Sequence, residues 1–371
     1  MGMPLAYEFS KYFEVIGFDI NRKRINQLKL GIDRNHQINK KNLKTCKINF
    51  TNDSSLIRDV NYFIVTVPTP IKINKKPDLG PLIKATKILS KKLKKNSVIV
   101  YESTVYPGLT EEVLIPFIEK FSKFKLNKDF FVGYSPERIS PGVKSKDLTN
   151  ITKIVSGSSP IALKKIKFLY NKIIKSGLYE TPNIKTAEAA KILENMQRDL
   201  NISLINEASV IFDKLKINTF DVLKAANTKW NFINIEPGLV GGHCISVDPY
   251  YLKYKSEQVG YVPNVISSGR KINENMALFI SRKVKKNLDN MNSKKMSSSK
   301  YKLGIMGLSF KENCGDIRNS QVFKIIQYFK DKNFILEVVD PQVSTYELNE
   351  KFLKKIFVKK FTKKLDCLII T

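Results

Sequence analysis

Short apolar runs alternate with helix-length segments along most of this 371-residue chain, and that alternation restricts the fold more than any other feature. Glu14 to Ile20 (EVIGFDI) reads as a buried strand with an acid, Asp19, near its end. Arg22 to Leu30 suits a helix closed by Gly31. Asn61 to Val67 (NYFIVTV), Ser97 to Tyr101 (SVIVY) and Phe130 to Tyr134 are further strands. Helices from Asp78 to about Lys95 and after Pro107 separate them. Lys153 to Ser156 is a late strand, followed by a helix from about Pro160 to Ser176. Strands alternating with helices predict a parallel, doubly wound sheet. In such sheets ligands bind at the carboxyl ends of the strands, where Thr69, Thr104 and Glu137 lie. Each could be turn chemistry alone; their shared position gives them interest.

The segment before the first strand, Met1 to Ala6, reads as the opening of a helix. A helix leading into a strand that ends in Asp is the second half of a dinucleotide-binding βαβ unit, where the acid holds ribose hydroxyls. Gly2 would then be the third glycine of the phosphate loop. The preceding strand and the first two glycines do not occur in the chain, so the first sheet is expected to lack its first strand.

A long helix is predicted from about Thr186 to Lys216, with no Gly or Pro inside. Lys191, Asn195 and Arg198 fall at i, i+4 and i+7, on one face that Ile202 and Ile205 continue. A lysine there either snorkels or serves chemistry. Thr219 caps a shorter helix. The stretch Pro237 to Leu252 (PGLVGGHCISVDPYYL) then places one thiol, Cys244, after a glycine pair. Asp248-Pro249 reads as an N-cap followed by proline at the first helical position. Cys244 therefore sits before a helix start, where partial positive charge favours a thiolate. A buried structural cysteine in a glycine turn is the equal alternative.

A helical stretch from about Asn264 to Leu288 precedes Asn292 to Lys300 (NSKKMSSSK), a Ser/Lys-rich linker with no apolar period. Strands at Lys302 to Met306, Phe334 to Val339 and Leu365 to Ile370, with a helix from about Asn319, form a second α/β domain.

The formal net charge of +30 raises the question of nucleic acid or an anionic membrane surface. The excess is nearly all lysine, with nine arginines among the 64 basic residues, and it is spread along the whole chain. Arginine is the better reader of phosphates and base edges. A solvated lysine surface is favoured over a nucleic-acid platform, and a phosphate-bearing substrate fits either. No apolar run is long enough for a membrane span, and no signal peptide is visible. The four scattered cysteines read as reduced cytoplasmic thiols. With only two histidines, His36 and His243, no metal site is expected.

Several segments together carry a resemblance: VPTPI, VYESTVYPG, VGYSPER, AEAAKILEN with QRDLNI, KWNF, PGLVGGHC with VDPYYL, and FKENCGDIRN. In this order they resemble the UDP-glucose/GDP-mannose dehydrogenase family, and within it the UDP-N-acetylglucosamine 6-dehydrogenases of Vi-type polysaccharide synthesis. The likeness covers nearly the whole chain. It implies an α/β protein of two Rossmann-like doubly wound parallel-sheet domains joined by a central long-helix domain. The boundaries expected are 1–180 for the NAD-binding domain, 181–291 for the helical domain with Cys244, 292–300 for the linker and 301–371 for the UDP-binding domain.

The resemblance implies a four-electron oxidation at carbon 6 of a UDP-sugar, with NAD as cofactor used twice. Cys244 would be the nucleophile that forms a thiohemiacetal and then a thioester. Lys191 and Asn195 would stabilise the oxyanion. Asp248 would orient or activate water, Glu137 would assist hydrolysis and Thr104 would hold the water network. Asp19 and Gly2 would serve the cofactor, with Val67, Pro68, Thr69 and Thr104 lining it and Arg318 reaching it. Lys311 would meet the UDP phosphates. Glu137, Lys191 and Asn195 would also touch the sugar, and Arg270 would reach it or lie on the surface. A homodimer or larger homo-oligomer is implied. Glucose-type members carry a second acid where this chain has Pro141, which points to the N-acetylated-sugar branch; Ser140 also departs from close relatives. Three rivals remain open: a two-electron dehydrogenase with a structural Cys244, a basic nucleic-acid-binding protein, and an inactive truncated chain.

Overall fold

A computed structural model describes residues 2–33, 37–139, 148–291, 301–344, 348, 351–362 and 364–371. The expected linker, Asn292 to Lys300, and the departures at Ser140 and Pro141 lie outside the described residues, as does His36. Contacts divide the chain into two units, 1–194 with 250–259, and 195–249 with 260–371.

In the first unit α1 (Gly2–Phe9) leads into β1 (Val15–Phe18), then α2 (Arg22–Lys29), α3 (Lys40–Thr45) and β2 (Ile48–Thr51). β3 (Tyr62–Val65), α4 (Gly80–Ser90), β4 (Ser97–Tyr101), α5 (Ile115–Ser122) and β5 (Phe130–Tyr134) follow. β6 (Lys153–Gly157), α6 (Pro160–Tyr170) and β7 (Leu178–Glu180) complete the sheet region. β1 and β2 pair in parallel, apart from a five-stranded sheet ordered β3-β4-β5-β6-β7. Among the described residues neither β1 nor β2 forms a ladder with β3. Every residue of β4 and β5 is buried, the pattern of strands covered on both faces. Leu5 and Phe9 of α1 and Ala162, Ile166 and Leu169 of α6 pack with Val98, Val100 and Phe131 of the sheet. Local chemistry starts the helices: Asn21 caps α2, and Ser159 caps α6 ahead of Pro160.

The expected all-parallel sheet needs one correction. β6 runs antiparallel to β5, pairing Tyr134 with Ser156 and Gly133 with Gly157, while β7 is parallel to β6. Strand direction is set by the path of the intervening chain, which an apolar pattern does not encode. β2, β7 and α3 are additions to the sequence reading.

α7 (Ile184–Leu215) runs from the first unit into the second, which adds α8 (Thr219–Ala226), the start of α9 (Asp248–Gln258) and α10 (Asn264–Met291). Asn218, not Thr219, caps α8. β8 (Lys302–Met306), α11 (Val322–Asp331), β9 (Ile335–Val339), α12 (Lys351–Ile356) and β10 (Cys367–Ile370) follow. β10, β8 and β9 form a parallel sheet in that order. Ile325, Ile326 and Phe329 of α11 and Ala277 of α10 cover it with Leu303, Ile305 and Val338. No helix among the described residues is long and apolar enough to cross a membrane.

Candidate active site

In the second unit the segment from Gly238 to Asp248 is held at four points. Asn206 of α7 donates to the Gly238 carbonyl at 3.0 Å and accepts from its N–H at 2.9 Å, matching a peptide group on both sides. Asn319 Nδ2 donates to the Gly242 carbonyl at 3.1 Å. Arg270 Nη1 reaches the Ile245 carbonyl at 3.5 Å. Asn195 Nδ2 donates to Asp248 Oδ2 at 2.5 Å. Between these anchors Cys244 is left exposed. Its carbonyl accepts from the N–H groups of Val247 and Asp248 at 3.0 and 2.8 Å, closing the turn that enters α9. A thiol on a pinned turn is presented without being buried.

The glycine pair is required by the loop that crosses it. A Cβ on Gly241 would lie 2.8 Å from the Asn319 carbonyl oxygen and 2.9 Å from Phe310. One on Gly242, whose φ is +86°, would lie 2.6 Å from the Phe310 ring.

Two sequence expectations change here. Asp248 is the first residue of α9, not the residue before it, and its carboxylate is 1% exposed and bonded to Asn195. Arg270 is no surface residue: at 3% exposure it is ion-paired to the buried Asp199 at 2.6 Å. Asn273 Nδ2 donates to the same carboxylate at 2.7 Å, and Asn206 donates to Asn273 Oδ1 at 2.8 Å. The inward face of α7 therefore continues from Asn195 to Asp199, while Arg198 is exposed.

Lys311 and Arg318 lie on the loop between β8 and α11, the loop that crosses Gly241 and Gly242. Lys311 is half-buried. Arg318 holds Asp316 with two bonds of 2.8 and 2.6 Å, and His243 Nε2 lies 3.3 Å from the same carboxylate. Burial would raise the Asp316 carboxyl, but the hydrogen bonds from Arg318 outweigh it and hold it well below the usual range.

In the first unit the remaining candidates gather at strand ends. Ser103 Oγ donates to the Val67 carbonyl at 2.6 Å, tying the end of β4 to the Val67–Thr69 turn beyond β3. Tyr251, fully buried, donates to the Pro70 carbonyl at 3.3 Å and supports that turn. Thr104 follows Ser103 and is buried. The chain beyond it hangs on Glu188 of α7, which accepts from the Gly108 N–H at 2.6 Å and the Thr110 N–H at 3.0 Å. Glu137, buried at the end of β5, accepts from the N–H groups of Arg138 and Ile139 at 2.7 Å each through Oε1. Its Oε2 has no partner among the described residues. Lys191 is 8% exposed.

The dinucleotide expectation fits the chain's own residues. Asp19 follows β1 and is exposed, with one oxygen accepting from the Asn21 N–H at 2.7 Å. A carboxylate so held can take a ribose diol. At the start of α1 a Cβ on Gly2 would lie 2.5 Å from Thr66 Oγ1, so the helix end approaches the β3 turn as only glycine allows.

Sequence reasoning missed Glu188, Asn206 and Asp199, and a buried group of Glu102, Lys153 and Tyr170. Glu188 precedes Lys191 by one helical turn, a visible signal. Lys153 and Tyr170 are far from Glu102 in sequence and carried none.

Residues 1–174 match the NAD binding domain of the UDP-glucose/GDP-mannose dehydrogenase family, 185–275 its central domain and 304–371 its UDP binding domain. A UDP-N-acetyl-D-glucosamine 6-dehydrogenase of Pseudomonas aeruginosa is 46% identical over 353 residues, covering 95% of this chain and 83% of that protein. Protein CapL of Staphylococcus aureus is 44% identical, covering 100% of this chain and 86% of its own. The solved structure of a UDP-D-ManNAc dehydrogenase from Pyrococcus horikoshii matches with a TM-score of 0.85 at 26% identity, covering 100% of this chain and 96% of that one.

Proposed function

Because the chain belongs to the UDP-glucose/GDP-mannose dehydrogenase family, whose members are NAD-dependent oxidoreductases, we propose that it oxidises carbon 6 of a UDP-N-acetylhexosamine to the uronic acid. UDP-N-acetylglucosamine is the first substrate to test, since the Pseudomonas aeruginosa relative carries that name. The observation that carries the reading is the presentation of Cys244: an exposed thiol on a turn held at Gly238, Gly242, Ile245 and Asp248.

Bound NAD supplies the hydride acceptor for both oxidations, with Asp19, Gly2, Val67, Pro68, Thr69, Thr104 and Arg318 as the residues that would hold it. The Cys244 thiolate adds to the aldehyde carbon; the carbon–sulfur bond forms and the carbonyl pair moves to oxygen. Lys191 and Asn195 stabilise that oxyanion. The oxygen pair returns to carbon 6 as that carbon loses a hydride, which leaves a thioester. Water then adds, Glu137 taking its proton while Asp248 and Thr104 order it, and the carbon–sulfur bond breaks to release the carboxylate and regenerate the thiolate. Lys311 binds the UDP phosphates. Arg270 acts by holding the Cys244 turn. The setting proposed is a cytoplasmic homo-oligomer that supplies uronic acid for a surface polysaccharide.

The test is stoichiometry with UDP-N-acetylglucosamine, two NADH per sugar consumed. Cys244→Ser should lower acid formation by about 10³-fold or more. One NADH per sugar, with NADH formation unchanged in that variant, would leave a two-electron enzyme with a structural thiol.

A further inference from the structure

Glu102, just beyond β4, and Lys153, the first residue of β6, are a buried ion pair, 1% and 3% exposed, with Nζ 2.9 Å from Oε2. Nothing in the mechanism above uses them. As a stabilising device they are weak, because an apolar pair of the same shape would serve as well. Their partners suggest a different role. The Lys153 ammonium donates a second bond, 3.2 Å, to the carbonyl of Pro136, the residue before Glu137. Tyr170 of α6 donates to the other oxygen of Glu102, and its ring lies 5.3 Å from Lys153 Nζ.

The antiparallel course of β6 explains how Lys153 comes to be there. In a parallel sheet the first residue of β6 would sit at the far end from Glu137. Antiparallel pairing puts Tyr134 opposite Ser156. Continued by three residues, that register sets Glu137 opposite Lys153. Ser135 Oγ donates to the Ile154 carbonyl at 2.7 Å, which shows the two chains still side by side beyond the ladder. β4, β5 and β6 thus bring Glu102, Glu137 and Lys153 to one point.

We propose that Glu102 and Lys153 are positioning residues for Glu137: the pair fixes the Pro136–Glu137 turn and sets the balance of charge beside its carboxylate. Two buried carboxylates near one another repel, and the Lys153 ammonium between the strands lets both stay. Glu102 feels this: burial raises its carboxyl above the ordinary range, Lys153 opposes the rise and Glu137 adds to it. Tyr170 is held on Glu102, and Arg138 is ion-paired at 2.8 Å to Glu194 of α7.

The inference rests on Glu137 assisting thioester hydrolysis. The readout is acid released from UDP-N-acetylglucosamine by quenched flow over pH 5–9, with NADH followed in parallel. Hydrolysis falls on the acid side as the assisting carboxylate is protonated. Glu102→Gln removes a negative neighbour, so that limb should move about one pH unit down; Lys153→Met removes a positive one, so it should move up by a similar amount. A structural role alone would lower stability and rate in both variants without opposed shifts, and that result overturns the proposal. Should Lys153→Met fail to fold, Glu102→Gln decides alone: a downward shift supports the proposal, and no shift or an upward one overturns it. Glu137→Gln separates the two readings. If it leaves the limb in place, the role of Glu137 fails and the positioning role with it. If it removes the limb while Glu102→Gln moves nothing, only the positioning role fails.

Discussion

Glu188 shows how one side chain can join two parts of the candidate site. From α7, one turn before Lys191, it receives two backbone N–H groups of the segment after Thr104. Burial pushes its carboxyl up to about 7, against the lowering effect of those bonds. A carboxyl raised in the folded state favours folding below its unfolded value near 4.5 and loses that contribution as pH rises toward 7. The span corresponds to about 3 kcal/mol. Urea unfolding of the full chain at pH 4.5 and 7.5 checks this. The stability advantage of the native protein over Glu188→Gln should be larger at the lower pH; an advantage that is equal or grows with pH contradicts it. The spacing of Glu188 and Lys191 on one helix face was readable from the sequence. That its partners are Gly108 and Thr110 was not, because a backbone N–H carries no sequence signature.

Between elements, α7 and α10 grip the cysteine turn through amides and one ion pair: Asn206, Asn273, Asp199 and Arg270. Asn206 is fully buried, and its amide occupies both polar groups of Gly238. Truncation to Ala strands those groups and Asn273, so Asn206→Ala should lose about 2–3 kcal/mol in denaturant unfolding. A loss below about 0.5 kcal/mol would show the turn held by its other anchors alone. The elements differ in how far their sequences announce them. β4 and β5 are continuous apolar runs with turn residues at their ends, and their bounds match the reading residue for residue. α7 announces itself by more than 30 residues without Gly or Pro. β7 holds three residues, too few to show a period.

Across the whole molecule, a net charge of +30 means that lysines repel one another in the compact state more than in the unfolded chain. Screening should therefore stabilise. Raising NaCl from about 20 to about 300 mM shortens the Debye length from roughly 20 to 6 Å and should raise Tm by several degrees; an unchanged or falling Tm would show the lysines already compensated. The sequence by itself determined the α/β class, the strand-end placement of Thr104 and Glu137, and Cys244 on a glycine turn before a helix, because those follow from local periodicity and backbone steric rules. Only the tertiary structure decided that β6 runs antiparallel and so carries Lys153 to the Pro136 carbonyl beside Glu137. It alone turned Asp248 from a cap into the partner of Asn195 and buried Arg270 against Asp199. These are contacts between residues tens of positions apart, where direction and register come from the path of the chain, which no short pattern encodes.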